Sequence, residues 1–319
     1  MKARVGIIGT LNMEVSLGRF EDFPGWGKQV LGDALSVEEA GSALRVAFPL
    51  VKFGLTPYVM GAVANDLYGE RILCRMKECG ISREFVRKIE GNSTGMCISL
   101  IRKDGERTLL SYLGALKQLQ VAHLFSWEKL LGRGDYLLLT GYFVLPGLRS
   151  KNLAEFFRRM RKKGVKILLD TGWDPEDWNE TVRKEVIALL REVDIFFPNL
   201  EEAFAISGRD KVEEILREIS QYGPGEIFLK MGKKGSAVYT EGRIYKREAF
   251  RVEARDTTAA GETFNAGVIF GLLNGWGKKE ILEFSNALVS LVISRPGSGY
   301  PELGRIKKWI RERKGEEES

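Results

Sequence analysis

Asp256-Thr257-Thr258-Ala259-Ala260-Gly261-Glu262-Thr263-Phe264-Asn265-Ala266-Gly267 is a polar turn of small residues that runs straight into an apolar helix. Small side chains let an anion approach the backbone closely. The first N–H groups of a helix have no partner within it, and the helix dipole adds positive potential there. Glu262 falls in the same first turn, so a phosphate site and a proton acceptor would lie side by side. A capped helix start uses Thr and an early Glu in much the same way, so this stretch alone leaves both readings open.

Outward from that turn, short apolar runs alternate with helical patterns. Val5–Ile8, Tyr58–Gly61, Tyr136–Thr140, Val165–Asp170, Val193–Phe197 and Glu226–Lys230 read as buried parallel strands. Helical periodicity marks Ala43–Phe53, Gly69–Cys79, Lys151–Lys163, Val182–Glu192 and Lys211–Tyr222. After the anion turn it also marks Thr263–Leu273, Lys278–Ser294 and Glu302–Lys314, the last with Ile306, Trp309 and Ile310 on one face. Strand–helix alternation over this length predicts a doubly wound α/β sheet with helices on both faces. Two segments break the pattern. Residues 13–34 look extended and turn-rich, and Met96–Tyr112 reads as two strands around Lys103-Asp104-Gly105, a strong hairpin signal. A small β-sheet lid built from about 13–34 and 93–115 is expected, able to close over a substrate and exclude water. An ordinary surface hairpin remains the alternative. No repeat or low-complexity linker divides residues 1–319, so one domain with a lid is expected.

Composition narrows the chemistry. The 319 residues are 44% hydrophobic and 29% charged, a globular balance. Cys74, Cys79 and Cys97 form neither a disulfide framework nor a zinc spacing. The only histidine, His123, sits in no motif, which disfavours Ser-His-Asp and Cys-His hydrolysis. No apolar run is long enough to span a bilayer, and the first residues read as a strand, so a cytoplasmic protein without a membrane partner is expected. Net charge is +6, but the densest basic run, Arg158–Lys163, closes a helical pattern where cations suit the dipole. Nucleic acid is therefore not an expected partner.

The anion turn resembles the D-T-x-G-A-G-D-x-F-x-x-G signature of the ribokinase-like (PfkB) carbohydrate kinases. Asp256, Thr257, Ala260, Gly261, Phe264 and Gly267 match it. The resemblance covers nearly the whole chain. Gly9–Glu14 is similar to the family's first strand and sugar-contacting turn, and Ala40-Gly41 before a helix to its second. Asn65-Asp66 with Gly69 resembles a G-x-D-x-x-G turn, and Asp104–Arg107 the lid hairpin. Asn199-Leu200-Glu201-Glu202 matches N-x-x-E, and Lys230–Gly235 resembles a nucleotide-side loop. The resemblance implies a three-layer α/β/α sandwich with a β-sheet lid, and transfer of a phosphoryl group from ATP to an alcohol of a sugar or similar molecule. It makes Glu262 the base, with Ala259, Ala260 and Gly261 forming the anion turn and the N–H groups of Ala260, Gly261 and Glu262 stabilising the transferred group. Asn12, Glu14, Gly41 and Arg45 would hold substrate. Asn199, Lys230, Gly232, Gly235 and Asn286 would face nucleotide. Asn199 and Glu202 would hold Mg2+ through water, since Mg2+ keeps several of its waters. Family members often bind a monovalent cation, here near Asp256 and the Ser294–Gly297 turn. The lid offers strand edges that invite pairing into a homodimer.

The departures from the family pattern fall on functional positions. Glu262 replaces Asp, Ala259 replaces a glycine, Glu14 replaces Asp, Ala40 replaces Gly, and Arg45 stands where Asn is usual. If position 259 needs a positive φ, the turn must shift or store strain. Arg45 either reads an acidic substrate or pairs with Glu14. Three readings stay open: an active carbohydrate kinase, a degenerate member that binds sugar or nucleotide, and a nucleoside kinase.

Overall fold

The computed structural model describes residues 3–23, 25–104, 107–295 and 299–317, with side chains as far as 313. In its first third the chain forms β1 (Val5–Ile8), β2 (Asn12–Phe20), β3 (Ala34–Ala40), α1 (Ser42–Lys52), β4 (Tyr58–Met60), β5 (Ala62–Ala64), α2 (Leu67–Glu78), β6 (Arg87–Ile89), β7 (Gly95–Arg102) and β8 (Arg107–Tyr112). Then follow α3 (Val121–Leu124), β9 (Tyr136–Thr140), α4 (Lys151–Lys162), β10 (Lys166–Asp170), α5 (Glu180–Leu190), β11 (Ile195–Phe196), α6 (Leu200–Ser207) and α7 (Val212–Ser220). The last third holds β12 (Glu226–Lys230), β13 (Ser236–Thr240), β14 (Arg243–Arg247), α8 (Ala260–Leu273), α9 (Lys278–Ile293) and α10 (Leu303–Glu317).

Eight strands form the main sheet in the order β14-β13-β12-β11-β10-β9-β1-β4. From β4 to β12 every pairing is parallel; β12, β13 and β14 run antiparallel. Residues alternate across it because successive strand side chains point to opposite faces. Leu137, Leu139, Ile167, Leu169, Ile227 and Leu229 pack on one face with α3 to α7. Ile7, Leu138, Leu168, Ile195, Phe228 and Val238 pack on the other with α1, α2, α8, α9 and α10. Both faces are thus covered, which is why the strands read as unbroken apolar runs. Helix α8 lies in the middle of its layer: residues 263–271 are all buried, and α1 and α9 pack against it. That placement brings the start of α8 beside the start of α1.

The lid is a second sheet in the order β3-β2-β7-β8. The expected segment 13–34 is corrected at its end. Strand β2 begins at Asn12, and a further strand, β3, carries the sheet on to Ala40. Antiparallel pairing aligns β3 with β2 from Asn12↔Ala40 to Gly18↔Ala34. This strand was obscured because Glu38-Glu39 interrupts its apolar alternation. The second lid segment holds β7 and β8, paired from Met96↔Tyr112 to Ile101↔Arg107. Gly105 and Glu106 of the hairpin turn, and Pro296 and Gly297 of the expected cation turn, lie outside the described residues. The β13–β14 hairpin was also not anticipated; Glu241-Gly242 makes its turn, both at positive φ. No helix among the described residues is long and apolar enough to cross a membrane.

Candidate active site

Three segments meet at the carboxyl ends of β1, β9, β10 and β12, the edge of a doubly wound sheet where ligands bind. The first is the turn between β3 and α1. Gly41 has φ +112°, and a Cβ there would lie 2.2 Å from the Thr10 carbonyl oxygen, so only glycine fits. A reciprocal clasp fixes this turn: the Ser42 N–H donates to Thr10 Oγ1 at 2.8 Å, and the Thr10 N–H donates to Ser42 Oγ at 3.0 Å. Ser42 Oγ in turn donates to the Thr140 carbonyl at the end of β9. Asn12 and Glu14, the first and third residues of β2, are both buried. Asn12 Nδ2 donates to the Met13 carbonyl at 3.0 Å, which orients its amide.

Arg45 lies one turn into α1 and reaches back to β2. Its Nη2 is 2.5 Å from Glu14 Oε2, with the two side chains 15% and 9% exposed. Of the two readings of Arg45, the structure shows the pairing. Burial disfavours the Arg45 charge, but Glu14, with Tyr300 and Glu262, more than restores it and raises its pKa. Tyr300, between α9 and α10, completes this side. Burial pushes its hydroxyl up to about 12, with Arg45 opposing and Glu262 adding to the shift.

The anion turn is the second segment. Ala259 holds φ +62°, ψ 9°, the left-handed conformation that its family counterpart glycine adopts freely. The substituted residue therefore keeps the turn and stores strain. Asp256 braces it by accepting from the Thr258 N–H at 2.7 Å, while the Asp256 and Arg255 N–H groups bond to the Ile293 carbonyl. The Thr263 N–H donates to the Ala259 carbonyl at 2.8 Å and the Ala260 N–H to the Thr257 carbonyl at 3.2 Å. The expected three-donor anion site is thus reduced: Ala260 closes the turn, and the Gly261 and Glu262 N–H groups, which have no acceptor among the described residues, remain for a ligand.

The third segment follows β11 and β12. Asn199 and Glu202 form a capping box at the start of α6. Asn199 Oδ1 accepts from the Glu202 N–H at 2.8 Å. The Glu202 carboxylate accepts from the Asn199 backbone N–H and Nδ2, each at 2.9 Å. Burial pushes Glu202 up to about 7, with Lys230 opposing and Asp170 adding to the shift. Lys230 ends β12 and turns inward, its ammonium 3.1 Å from Asp170 Oδ2. Gly232 and Gly235 form the loop beyond it, at φ +57° and +90°; a Cβ on Gly235 would lie 2.1 Å from the Arg247 carbonyl oxygen. Asn286 is tied into the wall of that loop. Its Nδ2 donates to the carbonyls of Arg247 and Glu248, and its Oδ1 accepts from Ser236 Oγ.

Glu262 stands between two groups of residues, since its charge acts on Arg45 and Tyr300 in one and on Lys230 and Glu202 in the other. Asp170, missed in the sequence, accepts from both Lys230 and Asn265 Nδ2. Its only signal was a carboxylate closing an apolar strand at the ligand edge of the sheet. Tyr300 had none. His123 is structural: its Nδ1 accepts the Gln120 N–H at the start of α3. The basic run of α4 pairs with Glu128, Glu192 and Asp194.

The sequence profile described as pfkB family carbohydrate kinase matches residues 2–303. A Clostridium perfringens 5-dehydro-2-deoxygluconokinase is 25% identical over 289 residues, covering 86% of this chain and 85% of that protein. A Bacillus subtilis 2-dehydro-3-deoxygluconokinase is 27% identical over 284 residues, covering 85% and 86%. Among solved structures, a putative ribokinase II from E. coli in complex with ATP and Mg2+ superposes with a TM-score of 0.82 at 18% identity, over 97% of this chain and 99% of that one.

Proposed function

The chain belongs to the pfkB family of carbohydrate kinases, and from that premise we propose that it transfers the γ-phosphoryl group of ATP to a hydroxyl of a sugar or sugar-like molecule, with Glu262 as general base. The observation that carries this reading is the place of Glu262. It lies in the first turn of α8, at two N–H groups with no acceptor among the described residues, and in electrostatic reach of the substrate side and the phosphate side together. A hydroxyl held beside Arg45 and Glu14 would lose its proton to Glu262 as it attacks phosphorus. The Gly261 and Glu262 N–H groups would stabilise the charge on the phosphoryl oxygens.

The residues present fit ATP and Mg2+. Paired donors at a helix start suit a phosphate, and the Glu202 carboxylate, already accepting two N–H bonds, suits a metal held through water rather than directly. When bound, Mg2+ would neutralise phosphate charge. Asn199 and Glu202 hold each other in place for that contact. Gly232 and Gly235 shape the nucleotide loop, and Asn286 sets its wall. A monovalent cation near Asp256 remains an expectation of the family resemblance.

Glu14 and Arg45 form a neutral pair, so this end of the cleft reads hydroxyls: Glu14 accepts and the remaining Arg45 N–H groups donate. Both curated relatives carry the names of kinases for gluconate derivatives, and sugar acids therefore belong in any substrate panel. Glu262→Gln tests the base. We expect kcat to fall at least about 10²-fold with nucleotide affinity nearly unchanged; turnover near the unaltered rate would remove Glu262 from that role.

The lid bears on the partner. Pairing puts Val37, Val15, Ile98 and Leu110 in one row and Leu35, Leu17, Leu100 and Thr108 in the next, on one face. Leu35, Val37, Ile98 and Leu110 are exposed. A second copy placing the same face against it would bury these residues by an isologous contact, which makes the lid face a second candidate for pairing beside its strand edges.

A further inference from the structure

Lys230 is held at the reacting centre more firmly than a nucleotide-loop residue needs to be. Its backbone N–H donates to the Pro198 carbonyl at 2.9 Å, and a bridge links it to Asn199, which pins its Cα at the end of the strand. The side chain then leaves the direction of the loop at Gly232 and enters the interior. A Cβ built on Gly261 would lie 3.5 Å from Lys230 Nζ, with ordinary van der Waals contact and nothing nearer. The ammonium is therefore beside the second residue of α8, one of the two residues whose N–H groups are left for an anion. Asn265 is four residues after Gly261 and so on the same face of the helix. It donates to Asp170, which also accepts from Lys230 at 3.1 Å. Asp170 and Asn265 together form a buttress that aims the ammonium. Burial disfavours the charge of this cation, but Asp170, Glu202 and Glu262 more than offset it.

A buried cation tied to one carboxylate can be purely structural. Its position argues for more. The Ala260 N–H is consumed by the turn, which leaves two backbone donors for three equatorial oxygens of a phosphoryl group in transfer. A lysine ammonium supplies a further donor and a full charge at that point.

From this geometry we infer that Lys230 is a catalytic residue whose ammonium contacts the transferred phosphoryl group at the start of α8, with Asp170 as its positioning residue. In the step, the bond between the substrate oxygen and phosphorus forms and the bond from phosphorus to the β–γ bridging oxygen breaks. The electron pair leaves on ADP, and the hydroxyl proton goes to Glu262. Lys230 stays protonated throughout. The inference rests on the phosphoryl-transfer reading of this site.

The test is Lys230→Met, read by kcat and by two affinities: for a non-hydrolysable ATP analogue with an imido β–γ bridge, and for ADP with aluminium fluoride, which mimics the phosphoryl group in flight. We expect kcat to fall about 10²- to 10³-fold, as for loss of one oxyanion donor, with the ADP–aluminium fluoride affinity falling in step and the imido analogue held within about threefold. An imido-analogue affinity that falls as far as kcat would make Lys230 a ground-state nucleotide contact and overturn the inference. So would a kcat within about threefold of the unaltered protein. Lys230→Met leaves Asp170 buried without its cation, so Lys230→Met/Asp170→Asn, which strands no charge, carries the same measurements if the single variant does not fold. Absence of turnover in the unaltered protein would overturn the phosphoryl-transfer reading and this inference with it; turnover indifferent to Lys230 overturns this inference alone.

Discussion

Removing either member of the Glu14–Arg45 pair should destabilise the fold, and removing both should restore most of the loss. The charges meet at 2.5 Å with little exposure on either side. At a charge separation of about 4 Å and an effective dielectric of about 20 their attraction is about 4 kcal/mol, much of it offset by the cost of taking both from water. Breaking a pair of this kind leaves one buried charge without its partner, at a cost of about 3–5 kcal/mol, whereas replacing both members is often near neutral. Arg45→Met and Glu14→Gln should therefore each lose about 3 kcal/mol, and the double variant no more than about 1–2 kcal/mol. Urea denaturation of the four proteins at pH 7 gives the cycle directly. Losses that simply add in the double variant would refute the coupling. A switch from acidic to neutral substrates in Arg45→Asn would refute the neutral-pair reading and return Arg45 to the role of an anion reader.

Other outcomes follow from single groups. Glu202 titrates at about 7 in the folded protein and 4.5 as a free side chain, so it adds stability that is full below pH 4.5 and lost as the pH rises towards 7; Glu202→Gln should flatten that slope, and an unchanged slope would place its origin elsewhere. Gly41→Ala should destabilise by about 2–5 kcal/mol, from backbone strain and the collision with Thr10, and raise the sugar KM more than the ATP KM; an equal rise in both would detach Gly41 from the substrate side. Ala259→Gly relieves about 1–2 kcal/mol of left-handed strain but gives up a buried methyl and adds chain freedom, about the same in sum, so stability should stay within about 1 kcal/mol; a larger change in melting would contradict that balance. Leu110→Glu on the lid should convert a dimer to a monomer in sedimentation, and an unaltered protein that sediments as a monomer would remove the lid pairing.

The parallel strands were legible because each is a short apolar run buried on both faces, and β1, β9 and β12 begin and end where the residues indicate. Strand β3 was not, because its register on β2 is set by tertiary pairing and its alternation is broken by two glutamates. At the site, the anion turn could be read locally: the sequence carries its small residues and its acid, and the structure adds that Ala259 accepts the left-handed conformation. Asp170 and Tyr300 could not be read in that way. They join the site from 92 residues before Glu262 and 38 after it, and only the folded sheet brings them there. The pairing of Arg45 with Glu14, across the lid–helix turn, was one of two readings the residues allowed, and distance decided it.

By the proposed reading the chain moves a phosphoryl group from ATP to an alcohol. Phosphorus NMR tests it most directly, with ATP, Mg2+ and a panel of sugars, polyols, sugar acids and nucleosides, beside Glu262→Gln. A phosphomonoester and ADP should form in equal amounts with a sugar or sugar acid, and neither in the variant. ATP left intact across the panel, while the protein still binds nucleotide by calorimetry, would contradict it and make the chain a binding member of its family.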